Sequence, residues 1–326
     1  TLGVGLCKRM GPKGIWLLLS MIGSVSCFLN STPIVVLGAP VIRDVANALK
    51  QSPKRYLMPL SYITVLTGCC TLIGTSTNLL VDDMARVTGQ PRFGIFEITP
   101  VGLPVALAGG LYLFLVSGRL LARHEHEERE TEAPPIDLSH IANAQVGDAS
   151  LFAIKRPLKP GKAIAALGVF VGAIVLATFN VAPIAATAFA GAVLLILMRV
   201  ISADEAYSGL RPEILILIAG MVVIGIAMEQ SGLAEQASRM LIANVHDLSP
   251  LVALIVLYLI TMVLTELLSN ATVAVLVTPV AVALAESLAV SPRPFLGAVM
   301  MAASLAFATP FGYETSAPVY QMGCYR

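Results

Sequence analysis

The sequence predicts an all-α, multi-pass membrane protein, an inverted-repeat transporter in which each half holds one re-entrant hairpin and one broken helix. Three observations carry that prediction. Apolar runs near membrane-spanning length recur at 98–117, 163–179, 181–198, 214–228 and 251–264. One block occurs twice, 239 residues apart: Leu37, Pro40, Val41, Ala46 and Leu49 read forward onto Leu276, Pro279, Val280, Ala285 and Leu288. Polar interruptions of the apolar runs recur in the same order in both copies. Interrupted hydrophobic segments at matching places in two halves mark a secondary transporter, whose binding site forms where the interruptions meet near the bilayer midplane.

The first half, residues 1–121, opens with a hairpin at 13–49. It is apolar on both sides of the polar tip Asn30-Ser31-Thr32. As a helix its first arm, 15–29, reaches about 22 Å, short of the roughly 30 Å hydrocarbon core. A segment that dips in and returns therefore fits better than two spans. A broken helix follows at 56–88, interrupted by Gly74-Thr75-Ser76-Thr77-Asn78, and then a helix at 97–121. Glycine favours local unwinding, and irregular backbone at membrane depth is tolerated only where it faces protein or a wet cavity. Residues 122–160 are rich in Glu, His, Arg and Pro and read as a polar cytoplasmic linker.

The second half, 161–326, predicts helices at 162–180, 181–199 and 214–229. A second hairpin at 250–288 has its tip at Ser269-Asn270-Ala271. A second broken helix at 294–326 is interrupted by Thr309-Pro310-Phe311-Gly312-Tyr313-Glu314-Thr315-Ser316. The repeat offset also sets an expected extent. The counterpart of residue 161 falls about 78 residues before residue 1, and the helix at 97–121 should recur beyond residue 326. The chain is thus expected to be the central part of a larger permease. If the first hairpin and the linker open to the cytoplasm, 17 of the 21 basic residues lie inside. Arg86, Arg92, Arg239 and Arg293 lie outside. That bias obeys the positive-inside rule and makes the two halves inverted, in the plasma membrane.

Composition excludes several function classes. A mean hydropathy of +0.82 with 13% charged residues rules out an ordinary soluble domain. A net charge of +1 supplies no field to attract nucleic acid. The five cysteines form no C-x-x-C pair, and the four histidines sit in polar loops without partners at metal-ligand spacing. No transition-metal site or cofactor is expected. The apolar segments contain no G-x-G-D, H-E-x-x-H or Ser/His pairing, so an intramembrane enzyme is not expected either.

Two tips and two breaks supply hydroxyls, amides, free N–H groups and free carbonyls. Helix N-termini there favour anions, and freed carbonyls and hydroxyls suit a hard cation such as sodium. A lone Ser, Thr or Asn in a membrane helix more often bonds a neighbouring helix than a ligand. Four polar breaks in matched order weigh against that reading here. Glu266 and Glu314 are intramembrane acids, which point to function by default. Glu266 could instead pair locally, and Glu314, inside a break, is a candidate coupling acid for protons.

At Pro59-Leu60-Ser61-Tyr62 leading to Leu72-Ile73-Gly74-Thr75-Ser76-Thr77-Asn78, at Thr265-Glu266-Leu267-Leu268-Ser269-Asn270 and at Phe307-Ala308-Thr309-Pro310-Phe311-Gly312-Tyr313 the chain resembles a known family. These residues resemble those of the divalent anion:sodium symporters, the citrate- and dicarboxylate-transporter-like permeases of the ion transporter superfamily. The resemblance implies scaffold and transport domains, a homodimer in the lipid bilayer, and an elevator-type motion carrying a small anion with sodium. It places the anion at Ser31, Thr32, Thr75, Asn270, Ala271, Thr309, Pro310 and Tyr313. It places sodium at Asn30, Ser31, Gly74, Asn78, Ser269, Asn270, Ala308 and Gly312. Ser31 and Ala271 depart from the family's Ser-Asn-Thr tips. For the second break two registers stay open, Ala308-Thr309-Pro310 or Gly312-Tyr313. The substrate implied is a di- or tricarboxylate or sulfate. Alternatives are arsenite or another oxyanion, proton coupling, or a channel or non-transporting sensor on the same architecture.

Overall fold

The computed structural model describes residues 12–49, 51–120, 160–179, 181–182, 184–208, 249–309, and isolated positions within 220–236 and 313–320. The predicted linker and the positions Pro310, Gly312 and Glu314 lie outside the described residues. Among those described, every element is an α-helix, and four helices are long and apolar enough to cross a membrane.

Two compact units emerge. The first contains α1 (Pro12–Ser26), α2 (Ser31–Ala48), α3 (Lys54–Gly68), α4 (Ser76–Val87) and α5 (Thr99–Leu120). It also contains α9 (Pro250–Leu267), α10 (Asn270–Ser287) and α11 (Pro292–Ser304). The second contains α6 (Pro160–Thr178), α7 (Ile184–Leu197) and the short α8 (Ala203–Ser208). There α6 packs on α7, and Lys162 Nζ donates to the carbonyls of Arg199 (2.6 Å) and Val200 (3.2 Å). Those carbonyls belong to the turn that follows α7. Of the run at 214–228, the described positions Gly220, Val223 and Ala227 are helical.

In the first unit each hairpin lies on the first arm of its own broken helix. Ile15, Leu19, Val35, Ile42, Tyr56, Leu57 and Leu60 close the core of α1, α2 and α3. Leu257, Val273, Val277, Phe295, Leu296 and Met300 close that of α9, α10 and α11. The second arms are exchanged. α4 packs on α10 and α11, placing Leu80, Val81 and Ala85 in the second hairpin's core. Reciprocally, Val319 joins the core of the first hairpin, and Ser61 Oγ in α3 lies 2.8 Å from Thr315 Oγ1.

Burial separates the two kinds of apolar helix. Only 6% of the α5 span is buried, and Val101, Leu107, Leu111 and Tyr112 stand exposed, whereas 56% of α10 is buried. α5 therefore has the surface of a lipid-facing helix and α10 that of an internal arm. The two differ as well in how closely they approach their neighbours. Gly102 brings α5 against the backbone of Cys69 and Cys70, and a Cβ there would sit 2.6 Å from the Cys69 carbonyl oxygen.

Both breaks fall earlier than the sequence suggests. α3 ends at Gly68, and Ser76, Thr77 and Asn78 form the first turn of α4 rather than part of the interruption. The cause is local: Thr75 Oγ1 accepts from Asn78 N at 3.3 Å and starts the helix there. α11 ends at Ser304, although the apolar run continues to Ala308. Beyond that end a side chain from the second hairpin holds the Ala308 and Thr309 amides.

Candidate functional site

Each hairpin tip is a helix N-terminus built by its own cap. Asn30 Oδ1 accepts from Thr32 N at 3.1 Å and opens α2; Ser269 Oγ accepts from Thr272 N at 3.2 Å and opens α10. Both cap residues are exposed, and their side chains are engaged in capping. The following residues, Ser31 and Asn270, reach the broken helices instead.

One arrangement occurs in both halves. Ser26 Oγ and Ser31 Oγ lie 3.1 Å apart, and they donate to the Thr64 carbonyl at 2.8 and 3.0 Å. In the second half Thr265 Oγ1 lies 2.9 Å from Asn270 Oδ1 and 3.0 Å from the Ala303 carbonyl, its one proton shared between the two acceptors. Thr265, Asn270 and Ala303 stand 239 residues after Ser26, Ser31 and Thr64. A hydroxyl on the first arm thus joins the tip to the broken helix twice over. A further contact repeats beside it. The Thr71 hydroxyl donates to the Cys27 carbonyl, and the Thr309 hydroxyl lies 3.4 Å from the Glu266 carbonyl.

The first break is packed backbone to backbone. A methyl group on Gly74 would overlap the Gly68 carbonyl and approach the Cys27 carbonyl oxygen to 2.8 Å. One on Gly68 would lie 2.8 Å from Ser31 Oγ and 3.2 Å from the Gly74 oxygen. The backbone at Gly68 and Gly74 therefore packs against itself, with the Cys27 carbonyl beside Gly74 and the Ser31 hydroxyl beside Gly68, and only glycine permits it. Asn78 is fully buried; its Nδ2 donates to the Thr71 carbonyl at 3.0 Å, and its Oδ1 has no partner. A buried amide oxygen without a donor is costly unless a ligand completes it. Thr32 and Thr75 are buried within the same cluster's first turns.

The second break is held by charge. Glu266 Oε1 accepts from Ala308 N at 2.9 Å, and Oε2 accepts from Thr309 N at 2.8 Å and from Thr309 Oγ1 at 2.9 Å. From the first half, Tyr62 Oη donates to the Phe307 carbonyl at 3.3 Å, and the two rings lie 4.9 Å apart. Ala308 is exposed and Tyr313 buried, and Ala271 is half-buried against the hairpin core. No Lys or Arg occurs in 14–42, 56–85, 240–292 or 294–325, so both clusters are oxygen-rich without a fixed basic residue.

The predicted residues thus form two clusters, one per half. Ser26, Thr64, Tyr62, Thr265 and Ala303 were given no site role by the sequence, although Tyr62 and Thr265 lie in stretches that carry the family resemblance. The first and fourth were legible in the repeat, since both offset positions carry a hydroxyl. Thr64 and Ala303 contribute backbone oxygens, which leave no mark in a sequence. Oxygen clusters at helix N-termini can take a hard cation at the carbonyls and an anion at the free N–H groups.

Comparison with known proteins follows the same lines. The family model described as citrate transporter matches residues 2–312. An uncharacterized transporter of Synechocystis is 25% identical over 94% of this chain and 77% of its own length. Sodium/sulfate cotransporter 1 of Chlamydomonas reinhardtii is 39% identical over 30% of this chain and 12% of its own. A sodium-dependent dicarboxylate transporter of Staphylococcus saprophyticus is 30% identical over 34% of this chain and 21% of its own. The chain thus matches less than a quarter of the length of these last two relatives.

Proposed function

Since the chain belongs to the citrate transporter family, we propose that it forms the core of a sodium-coupled symporter for a small anion, a di- or tricarboxylate or sulfate. The observation that carries this reading is the contact occurring twice at an offset of 239 residues, hydroxyl to tip and to broken helix. The relatives named for sodium/sulfate and sodium/dicarboxylate transport support the substrate class and the coupling ion.

In this reading one sodium ion is held in each half. In the first half its ligands are drawn from Ser31, the Gly74 carbonyl and the unpartnered Oδ1 of Asn78. In the second they are Asn270 and the Ala308 carbonyl. The Asn30 and Ser269 side chains act through their caps, by fixing the tips. The anion lies against the N-termini of α2 and α10, with Thr32 and Thr75 as hydroxyl donors. Sodium then raises anion affinity by neutralising the carbonyl faces beside it, and the anion does the same for sodium. Such mutual dependence is what symport requires. Elevator-type movement as a homodimer in the plasma membrane belongs to the same proposal.

The test uses the complete gene product in proteoliposomes. Uptake of labelled succinate, citrate and sulfate is followed with and without an inward sodium gradient. Saturable, sodium-dependent uptake of one of them, lost in Thr32→Ala or Asn270→Ala, is the expected result. Uptake that ignores the sodium gradient would remove the coupling ion from the proposal. No uptake of any of the three would remove the substrate class.

A further inference from the structure

The two breaks are secured differently although the contact beside them is shared. Gly68 and Gly74 let the first break close backbone on backbone. In the repeat, Phe307 stands 239 residues after Gly68, and a side chain of that size forbids the same approach. The second half supplies a carboxylate instead. Glu266 grips two consecutive amides, Ala308 N and Thr309 N, at 2.9 and 2.8 Å. At the equivalent place in the first half, Cys70 N bonds within its own turn, to the Thr67 carbonyl at 3.0 Å.

The geometry of the peptide group gives this grip a direction. A trans peptide carries its C=O and N–H on opposite sides of one plane, and no cis peptide bond occurs among the described residues. The Phe307–Ala308 plane is therefore held at both ends, by Tyr62 Oη on the carbonyl and by Glu266 on the N–H. The Ala308–Thr309 plane is held at its N–H alone, which turns the Ala308 carbonyl away from Glu266. Glutamine could not replace the acid. It offers one carbonyl oxygen to three donors and sets an NH2 group against an amide N–H.

We infer that Glu266 is a positioning residue for the second cation site: its carboxylate fixes the Phe307–Ala308 and Ala308–Thr309 peptide planes within the break so that the Ala308 carbonyl is presented to sodium. This inference rests on the sodium-symport reading above. It makes Glu266 a support for a ligand, neither a ligand itself nor a proton carrier. Groups that orient a metal ligand typically change affinity by about 10- to 100-fold when removed.

The experiment is thermal unfolding of the purified full-length protein, titrated with sodium chloride against choline chloride at constant ionic strength. A ligand that binds only the folded state raises the melting temperature with a midpoint set by its affinity. Wild type is expected to be stabilised by sodium. Glu266→Gln is expected to move the sodium midpoint upward by about tenfold or more. With sodium saturating, the midpoint for succinate or sulfate should stay within about twofold, which a merely structural lesion would not respect. A folded Glu266→Gln protein with an unmoved sodium midpoint overturns the inference. So does a shift confined to the anion. If Glu266→Gln does not fold, Tyr62→Phe, which frees only the Phe307 carbonyl, must move the sodium midpoint in the same direction; an unmoved midpoint there is equally fatal. A wild type indifferent to sodium sinks the symport reading and this inference together, and is told apart by needing no variant.

Discussion

Thr261 and Thr265 lie one turn apart on α9, both fully buried, and replacing each with valine separates a local hydroxyl from a bridging one. Thr261 Oγ1 bonds the Leu257 carbonyl at 2.7 Å, within its own helix. Such back-bonding adds little, so Thr261→Val should change stability by less than about 0.5 kcal/mol. Thr265 Oγ1 joins Asn270 Oδ1 and the Ala303 carbonyl, on two other helices. One proton shared between two acceptors on neighbouring membrane helices is worth about 1 kcal/mol, within the range measured for such bonds. Ala303 lies in the last turn of α11, where carbonyls have no helical N–H partner. Leaving that oxygen dry adds about 1 kcal/mol or more. Thr265→Val should therefore cost about 2 kcal/mol, roughly thirtyfold in the unfolding equilibrium. Denaturant titration of the full-length protein in micelles reads the difference. If Thr265→Val loses no more than Thr261→Val, the bridge does not hold the second tip to its break, and the site built on it fails.

Other outcomes follow from the same contacts. Gly74→Ala should destabilise by about 1–3 kcal/mol through overpacking against the Gly68 and Cys27 carbonyls and should abolish uptake. Gly110→Ala, inside α5 with open space around it, should leave uptake unchanged and should not lower stability. Ser31→Ala should raise the sodium concentration for half-maximal uptake, because it removes the hydroxyl that lies beside Gly68 and bonds the Thr64 carbonyl; unchanged sodium dependence would exclude that cluster. Arg293 lies 4.1 Å over the Phe93 ring, donates to the Arg92 carbonyl at 2.9 Å, and forms an ion pair with Glu97 at 3.3 Å outside hydrogen-bonding geometry. Arg293→Met should cost about 1 kcal/mol. Most of that should survive in concentrated potassium chloride, since the ring contact is less screened than the half-exposed pair; complete loss in salt would reassign it to Glu97.

The hairpin tips could be read in advance because Asn30-Ser31-Thr32 and Ser269-Asn270 are polar islands in apolar runs, and capping chemistry is local. The limits of the breaks could not. Thr75 draws Ser76–Asn78 into α4 by one hydrogen bond, and Glu266 holds the backbone beyond α11 from 42 and 43 residues away. The exchange of second arms was also out of reach, because apolar periodicity says that Leu80 and Val81 are buried but not against what. Glu266 was visible as an intramembrane acid with two possible roles. Its partners are mainly backbone amides, which any residue could have supplied, so no pattern of side chains points to them.

The exchanged arms bear on how the chain is made. Ser61 and Thr315, 254 residues apart, meet in the first hairpin's territory, and Val319 completes its core. A ribosome adding about 5 to 20 residues per second needs roughly 13 to 50 s to cover that separation. Throughout that time α3 stands without the residues that finish its packing, and it must be tolerated half-assembled by lipid or by a chaperone. The packing around α3 cannot be completed as it emerges, so a segment made late finishes one inserted early.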